Sequence, residues 1–344
     1  MSLSAPDGRT DRIPSGTRDV LPDEMRELRD MTDRIRGVFE AAGYGEVYTP
    51  ALEYETTFPR ASALRPAYRV FDENGHVLVL RADMTVPIAR VAATRYAHVD
   101  PPLRFCYIAH AYRGVRPQRG QAREFLQAGV ELIGAPGPEG TAEALRVLCA
   151  AVEAAGLQHF RVGVGDASLY PTLLEALAIP EPARERILAE LVQGDFVGVE
   201  REVAGLGLDD RAAELLLAVP RIRGGAEVLG RFPNLPTDAL AGMRGLHALL
   251  EPAVADRVIY DLGLVRSLNY YTGAVFQVYD PAYGVPVGSG GRYDDLLGLF
   301  GRPLPAVGFA LNVERLHIAL TGEEAKSAGA DPAKSVSADS GGSR

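Results

Sequence analysis

Residues 124–133, Glu-Phe-Leu-Gln-Ala-Gly-Val-Glu-Leu-Ile, alternate loosely with a period of two. As a strand they place Leu126, Ala128, Val130 and Leu132 on one face, and Phe125, Gln127, Gly129, Glu131 and Ile133 on the other. The first face is wholly apolar and must be covered by a core. The second combines Gln, Gly and Glu, which points to a sheet whose other side lines a polar cavity. Upstream, residues 104–113 ("RFCYIAHAYR") form another β-rich run, and 114–123 ("GVRPQRGQAR") have turn composition. The spacing predicts a long-looped antiparallel hairpin that delivers Arg113 at the end of its first strand. Arg113, Gln127 and Glu131 are read as pocket residues. For Arg116, Arg119 and Arg123, solvated loop arginines and pocket residues are equally good readings.

Helical spacing recurs over 22–42, where Pro22, Asp23 and Glu24 open the first turn and Gly43 follows the end. A strand interrupted at Pro50 comes next, of the kind a sheet edge or interface tolerates. A hairpin turns at Glu73-Asn74-Gly75, and a helix is expected from about Val86 to Ala97. Beyond it come an alanine-rich helix over 141–155 and a strand over 159–166, with Asp166 placed to cap the following helix. Residues 168–257 carry helical patterns broken by Pro/Gly clusters. Strand character returns over 257–280, followed by a glycine-rich turn at 286–301 and a last strand-to-helix unit. Long antiparallel strands with segregated helices make the chain α+β. The expected organisation is a flexible N-terminus (1–15), a core of 16–167 and 258–321, a helical insertion (168–257) and a low-complexity, disordered tail (322–344).

At 344 residues the chain can bury a sizeable core, and 47% hydrophobic with 24% charged residues is a soluble composition. A net charge of −9 argues against nucleic acid as a bulk electrostatic partner. Cys106 and Cys149 are the only cysteines and read as buried free thiols rather than a redox or metal motif. No run is long enough for a membrane helix and no secretory pattern opens the chain, so a cytoplasmic location is expected. Walker A, HExxH, GxSxG and CxxC patterns are absent; no metal, no cofactor and no catalytic residue are assigned.

Other residues fit one chemistry. Asp83 and Glu131 suit an ammonium or an imidazole N–H. Gln127, Thr85 and a tyrosine hydroxyl supply neutral hydrogen bonds, and Arg113 and Arg266 suit a carboxylate or phosphate. Such a set binds a zwitterionic amino acid. Each member has a plainer reading: Asp83 as a helix cap, the glycines of 288–295 as a tight turn, and one of the adjacent Tyr270 and Tyr271 as a packing residue.

From about Gly16 to Leu320 the chain resembles the core of class II aminoacyl-tRNA synthetases of the histidine type. The matching stretches are "GTRDVLP" (16–22), the helix-strand-proline unit ending at Pro50, residues 112–134, "LVRSLNYYTG" (264–273), "GGRYDDL" (290–296) and "AVGFALNVERL" (306–316). The resemblance implies a class II synthetase-like antiparallel sheet flanked by helices. It implies a histidine pocket of Asp83, Thr85, Arg113, Gln127, Glu131, Arg266, Tyr270 and Tyr271, closed by the glycines near Gly290 and Gly291. It also implies a homodimer.

Departures narrow the resemblance. Val115 stands where the ligases place the glutamate they use on ATP, and "RADMT" (81–85) replaces their R-P-E-G-T. Only 29 residues follow Arg315, fewer than the roughly 50 a further folded domain needs, so an anticodon-binding domain is not expected. These features are similar to those of the ATP phosphoribosyltransferase regulatory subunits, a family of synthetase paralogues. That resemblance implies a histidine-binding, non-catalytic subunit that activates and feedback-regulates the short-form catalytic subunit at the first step of histidine biosynthesis. The competing expectations are a truncated histidine–tRNA ligase or stand-alone amino-acid-activating relative, and, more weakly, a tRNA-binding module. Arg266 and Arg315, which bind ATP phosphates in the ligases, are retained.

Overall fold

Pro22 sits in the first turn of α1 (Pro22–Ala41) with Asp23 and Glu24, and Leu28, Met31, Ile35 and Phe39 form its buried stripe. That stripe needs a sheet to cover, and the sheet is the frame of the molecule. The computed structural model describes residues 13–57, 68–114, 122–231, 239–264 and 271–327. Within them nine strands form one sheet in the order β1-β5-β6-β12-β11-β10-β7-β9-β8. The strands are β1 (Gly45–Glu46), β5 (Leu103–Tyr112), β6 (Glu124–Ile133), β7 (Arg161–Asp166), β8 (Arg223–Gly224), β9 (Val258–Asp261), β10 (Ala274–Asp280), β11 (Tyr283–Arg292) and β12 (Ala306–Asn312). All neighbours are antiparallel except β1 with β5 and β7 with β9.

The predicted hairpin is β5 and β6, paired from Leu103↔Ile133 to Tyr112↔Glu124. Its alternation partitions two cores. Ala128, Val130 and Leu132 face a large core with α1 and with α3 (Glu139–Ala155), helped by half-buried Leu126. Ile133 faces a smaller core with Phe105, Tyr107 and Ala109 of β5 and with Met84, Ile88, Ala89 and Ala92 at and within α2 (Thr85–Thr94). Cys106 and Cys149 lie buried and unpaired, and burial raises both thiol pKa values to about 12.

The strand expected to break at Pro50 is in fact two strands in different sheets. β1 joins the large sheet, while β2 (Leu52–Tyr54) joins β4 (Val77–Leu80) and β3 (Arg69–Phe71) in a small one. Pro50 lies at the crossing between them, and the β3–β4 turn contains Gly75 at φ +82°. From β7 the chain passes through helices at 169–176, 181–193, 196–204, 210–218, 241–249 and 252–255 before β9.

Three expectations need correction. Asp166 does not cap the next helix: it accepts from the backbone N–H and hydroxyl of Ser168 at 2.8 and 2.6 Å, while Ser168 holds the cap position. The first part of the glycine-rich turn, residues 286–292, belongs to strand β11. A Cβ on Gly290 would lie 2.2 Å from the Gly308 carbonyl oxygen and 2.4 Å from the Phe276 ring, so these glycines serve close packing rather than turning. The last helix, α10 (Val313–Ser327), runs six residues into the stretch expected as tail, because buried Glu323 accepts the N–H groups of Gln158 and His159. Residues 1–12 and 328–344 of the two expected flexible ends lie outside the described residues.

Candidate functional site

The polar face predicted for β6 forms the floor of a site. Register places Phe105, Glu131, Gly308 and Gly291 in one row across β5, β6, β12 and β11. The next row is Tyr107, Gly129, Ala310 and Ser289. The glycines make room for particular side chains. A Cβ on Gly308 would sit 1.8 Å from Glu131 Oε2, and one on Gly129 would sit 2.5 Å from the Tyr107 hydroxyl. The Tyr271 ring lies over Gly291, 2.8 Å from where a Cβ would be. Gly291 therefore belongs to the site, whereas Gly290 faces the opposite core against Phe276 and Phe309.

Glu131 is fully enclosed. Thr85, first residue of α2, donates its hydroxyl to Glu131 Oε1 at 2.8 Å, and Tyr293 donates to Oε2. Burial nonetheless raises its pKa to about 8, against the pull of those two hydrogen bonds and with a further push from the nearby charge of Asp83. No basic side chain forms an ion pair with Glu131 among the described residues. Asp83 accepts from the Val86 N–H at 3.4 Å, a long contact, while Met84 holds the cap position of α2, so Asp83 is not the cap its plainer reading made it. The two acids thus form an acidic pole at the start of α2, in which Glu131 keeps its proton below about pH 8.

Gln127 lies on the same face, 6% exposed, and its Oε1 has no donor among the described residues. An unmet acceptor at that depth costs free energy until a donor arrives. Just past β5, the Arg113 guanidinium stacks on the Phe125 ring at 4.7 Å from its centroid, and the Arg113 N–H bonds to the Arg123 carbonyl at 2.8 Å. That stacking sets a positive pole on the same face, beyond Gln127.

Six of the eight expected pocket residues are described: Asp83, Thr85, Arg113, Gln127, Glu131 and Tyr271. Thr85 and Glu131 are in contact, Asp83 acts on Glu131 through its charge, and Gln127 and Arg113 continue the same face. Arg266 and Tyr270 lie outside the described residues, as do Val115, Arg116 and Arg119. Arg123 donates its backbone N–H to Gly16. Arg315 donates to the Pro286 carbonyl at 2.8 Å. Tyr293 was not anticipated. It stands two residues after Gly291, the spacing at which a strand returns to the same face, and reading this stretch as a turn concealed that signal.

The sequence profile of histidyl-tRNA synthetase matches residues 16–316. The ATP phosphoribosyltransferase regulatory subunit of Symbiobacterium thermophilum is 42% identical over 326 residues, covering 92% of this chain and 82% of that protein. Among solved structures, an ATP phosphoribosyltransferase regulatory subunit/histidyl-tRNA synthetase from Bacillus halodurans C superposes with a TM-score of 0.85 at 34% identity, over 91% of this chain and 84% of the other. A histidyl-tRNA synthetase from a Nostoc species shares the fold, with a TM-score of 0.74 at 23% identity, over 93% and 76% of the two chains.

Proposed function

The chain belongs to the histidyl-tRNA synthetase family, in the branch of the ATP phosphoribosyltransferase regulatory subunits, and on that premise we propose that it binds L-histidine without activating it. The bound amino acid regulates a short-form catalytic subunit. The observation that carries this reading is the buried Glu131 beside Asp83, a pair of acids with an unmet Gln127 acceptor on the same face and an arginine beyond it. A histidine ring and ammonium meet the acids and Gln127, and its carboxylate meets Arg113. A ligand lacking the ring N–H leaves buried acceptors unpaired, so rejection follows from the same groups that bind.

Catalysis by this chain is not part of the proposal, because Val115 offers no carboxylate where the ligases use one on ATP. Calorimetry is expected to record L-histidine binding while histidine-dependent exchange of pyrophosphate into ATP stays at background. Robust exchange would favour a ligase-like enzyme instead.

The complex should hold one proton between the imidazole and Glu131. Below about pH 6.5 the free imidazole is already protonated, and binding must expel a proton. Above about pH 8 empty Glu131 has lost its proton, and binding must take one up. Affinity is therefore expected to peak between these values and to fall on both sides, which calorimetry from pH 5.5 to 9 measures. A flat profile would contradict the shared proton.

The proposed assembly begins as a homodimer. Beside Pro50, at the crossing between sheets, Tyr48, Leu52 and Tyr54 are 84%, 44% and 50% exposed, a surface suited to an isologous contact. Light scattering at micromolar concentration is expected to return twice the chain mass; a monomer would contradict this part of the reading.

A further inference from the structure

Arg81 directly follows β4 and opens the loop that carries Asp83 and leads to Thr85 at the start of α2, and it is 3% exposed. Burial lowers the pKa of its guanidinium. Among the described residues no carboxylate forms an ion pair with it, and the acid whose charge it feels, Glu53, is committed to Arg90 at 2.5 Å. Its partners are uncharged oxygens. Nε donates to the His110 carbonyl at 2.8 Å, and Nη1 donates to the Thr49 carbonyl at 2.5 Å and the Thr49 hydroxyl at 3.4 Å. Its backbone N–H donates to Ala51 O at 2.9 Å, and its carbonyl accepts from Tyr112 N at 3.0 Å. One residue is thereby tied both to the segment where the chain crosses between sheets and to the end of β5.

A buried charge held by neutral oxygens alone is costly, and an apolar side chain of similar length would fill the space with less desolvation. The arrangement is better explained by what lies next to it in the chain. Two and four residues on are Asp83 and Thr85, at the acidic pole. One residue beyond Tyr112 is Arg113, the basic pole. Both poles of the site are registered against one guanidinium.

We infer that Arg81 is a positioning residue that fixes the separation of the two poles, and so selects a ligand carrying both a ring or ammonium donor and a carboxylate. The inference rests on the amino-acid reading of the pocket and adds the residue that sets its span. A displacement of about 1 Å in such a site is enough to cost up to about a hundredfold.

The test is calorimetry on the full chain with L-histidine and with histamine, which keeps the ring and amine but lacks the carboxylate. Arg81→Met is expected to lower L-histidine affinity by about tenfold or more while leaving histamine affinity within about twofold, because histamine reads only the acidic pole. Arg81→Lys, which retains one donor, should fall between. A merely structural role would weaken both ligands alike, so equal losses, or an unchanged ratio, overturn the inference while leaving the pocket reading intact. If Arg81→Met fails to fold by circular dichroism, the ratio in Arg81→Lys decides. Wild-type protein that binds neither ligand overturns the pocket reading and this inference with it.

Discussion

Glu131→Gln is expected to weaken L-histidine binding by about thirtyfold or more, since removing one partner of a buried charged contact costs about 2–5 kcal/mol. The same change should alter stability in the opposite sense at high pH. In the empty protein the folded-state pKa of Glu131 is about 8, above the 4.5 of an unperturbed glutamate. A raised carboxyl pKa stabilises the fold fully below the unfolded value, and that contribution is lost as pH rises through the folded one. Across that window the wild type should lose on the order of 4–5 kcal/mol, and the glutamine variant should not. Chemical denaturation at pH 5 and pH 9 tests this, and a wild-type protein equally stable at both would contradict the raised pKa of buried Glu131. The upper arm of the affinity profile should vanish in the variant as well.

Asp83→Ala is expected to cost about 2–5 kcal/mol of L-histidine binding if Asp83 faces a desolvated cation. Its second consequence is easier to attribute. The negative charge of Asp83 pushes the Glu131 pKa upward, so removing it should move the upper arm of the pH profile to lower pH. Loss of the contact with Val86 N–H adds a smaller destabilisation of α2, about 1 kcal/mol or less. Calorimetry against pH separates these effects: weaker binding with an unmoved upper arm would mean that Asp83 does not act on Glu131.

The parts of this site that were legible in the sequence share a physical cause. The β5–β6 hairpin announces itself because one strand separates an apolar face from a polar one, and period two then assigns Gln127 and Glu131 to the same side. α1 is legible because its stripe and both ends follow helix chemistry. β11 is not, since Gly288, Gly290 and Gly291 lack the side chains that mark a strand; their need comes from neighbouring segments of the fold, such as the Gly308 carbonyl and the Tyr271 ring. Tyr293 was lost with that strand. Arg81 was silent for a related reason: its partners are backbone oxygens at Thr49 and His110, which leave no trace in residue type or spacing.

Phosphoribosyl-ATP formation by a short-form catalytic subunit, followed with and without this chain and with and without L-histidine, bears most directly on the regulatory role. The chain is expected to raise the rate, and L-histidine to suppress it only when the chain is present. The suppression reflects histidine's differential affinity for two states of the assembly, typically about 1–3 kcal/mol of coupling. Arg113→Ala and Gln127→Ala should blunt the suppression while leaving the assembly intact by light scattering. Equal inhibition of the catalytic subunit by L-histidine in the absence of the chain would contradict the account.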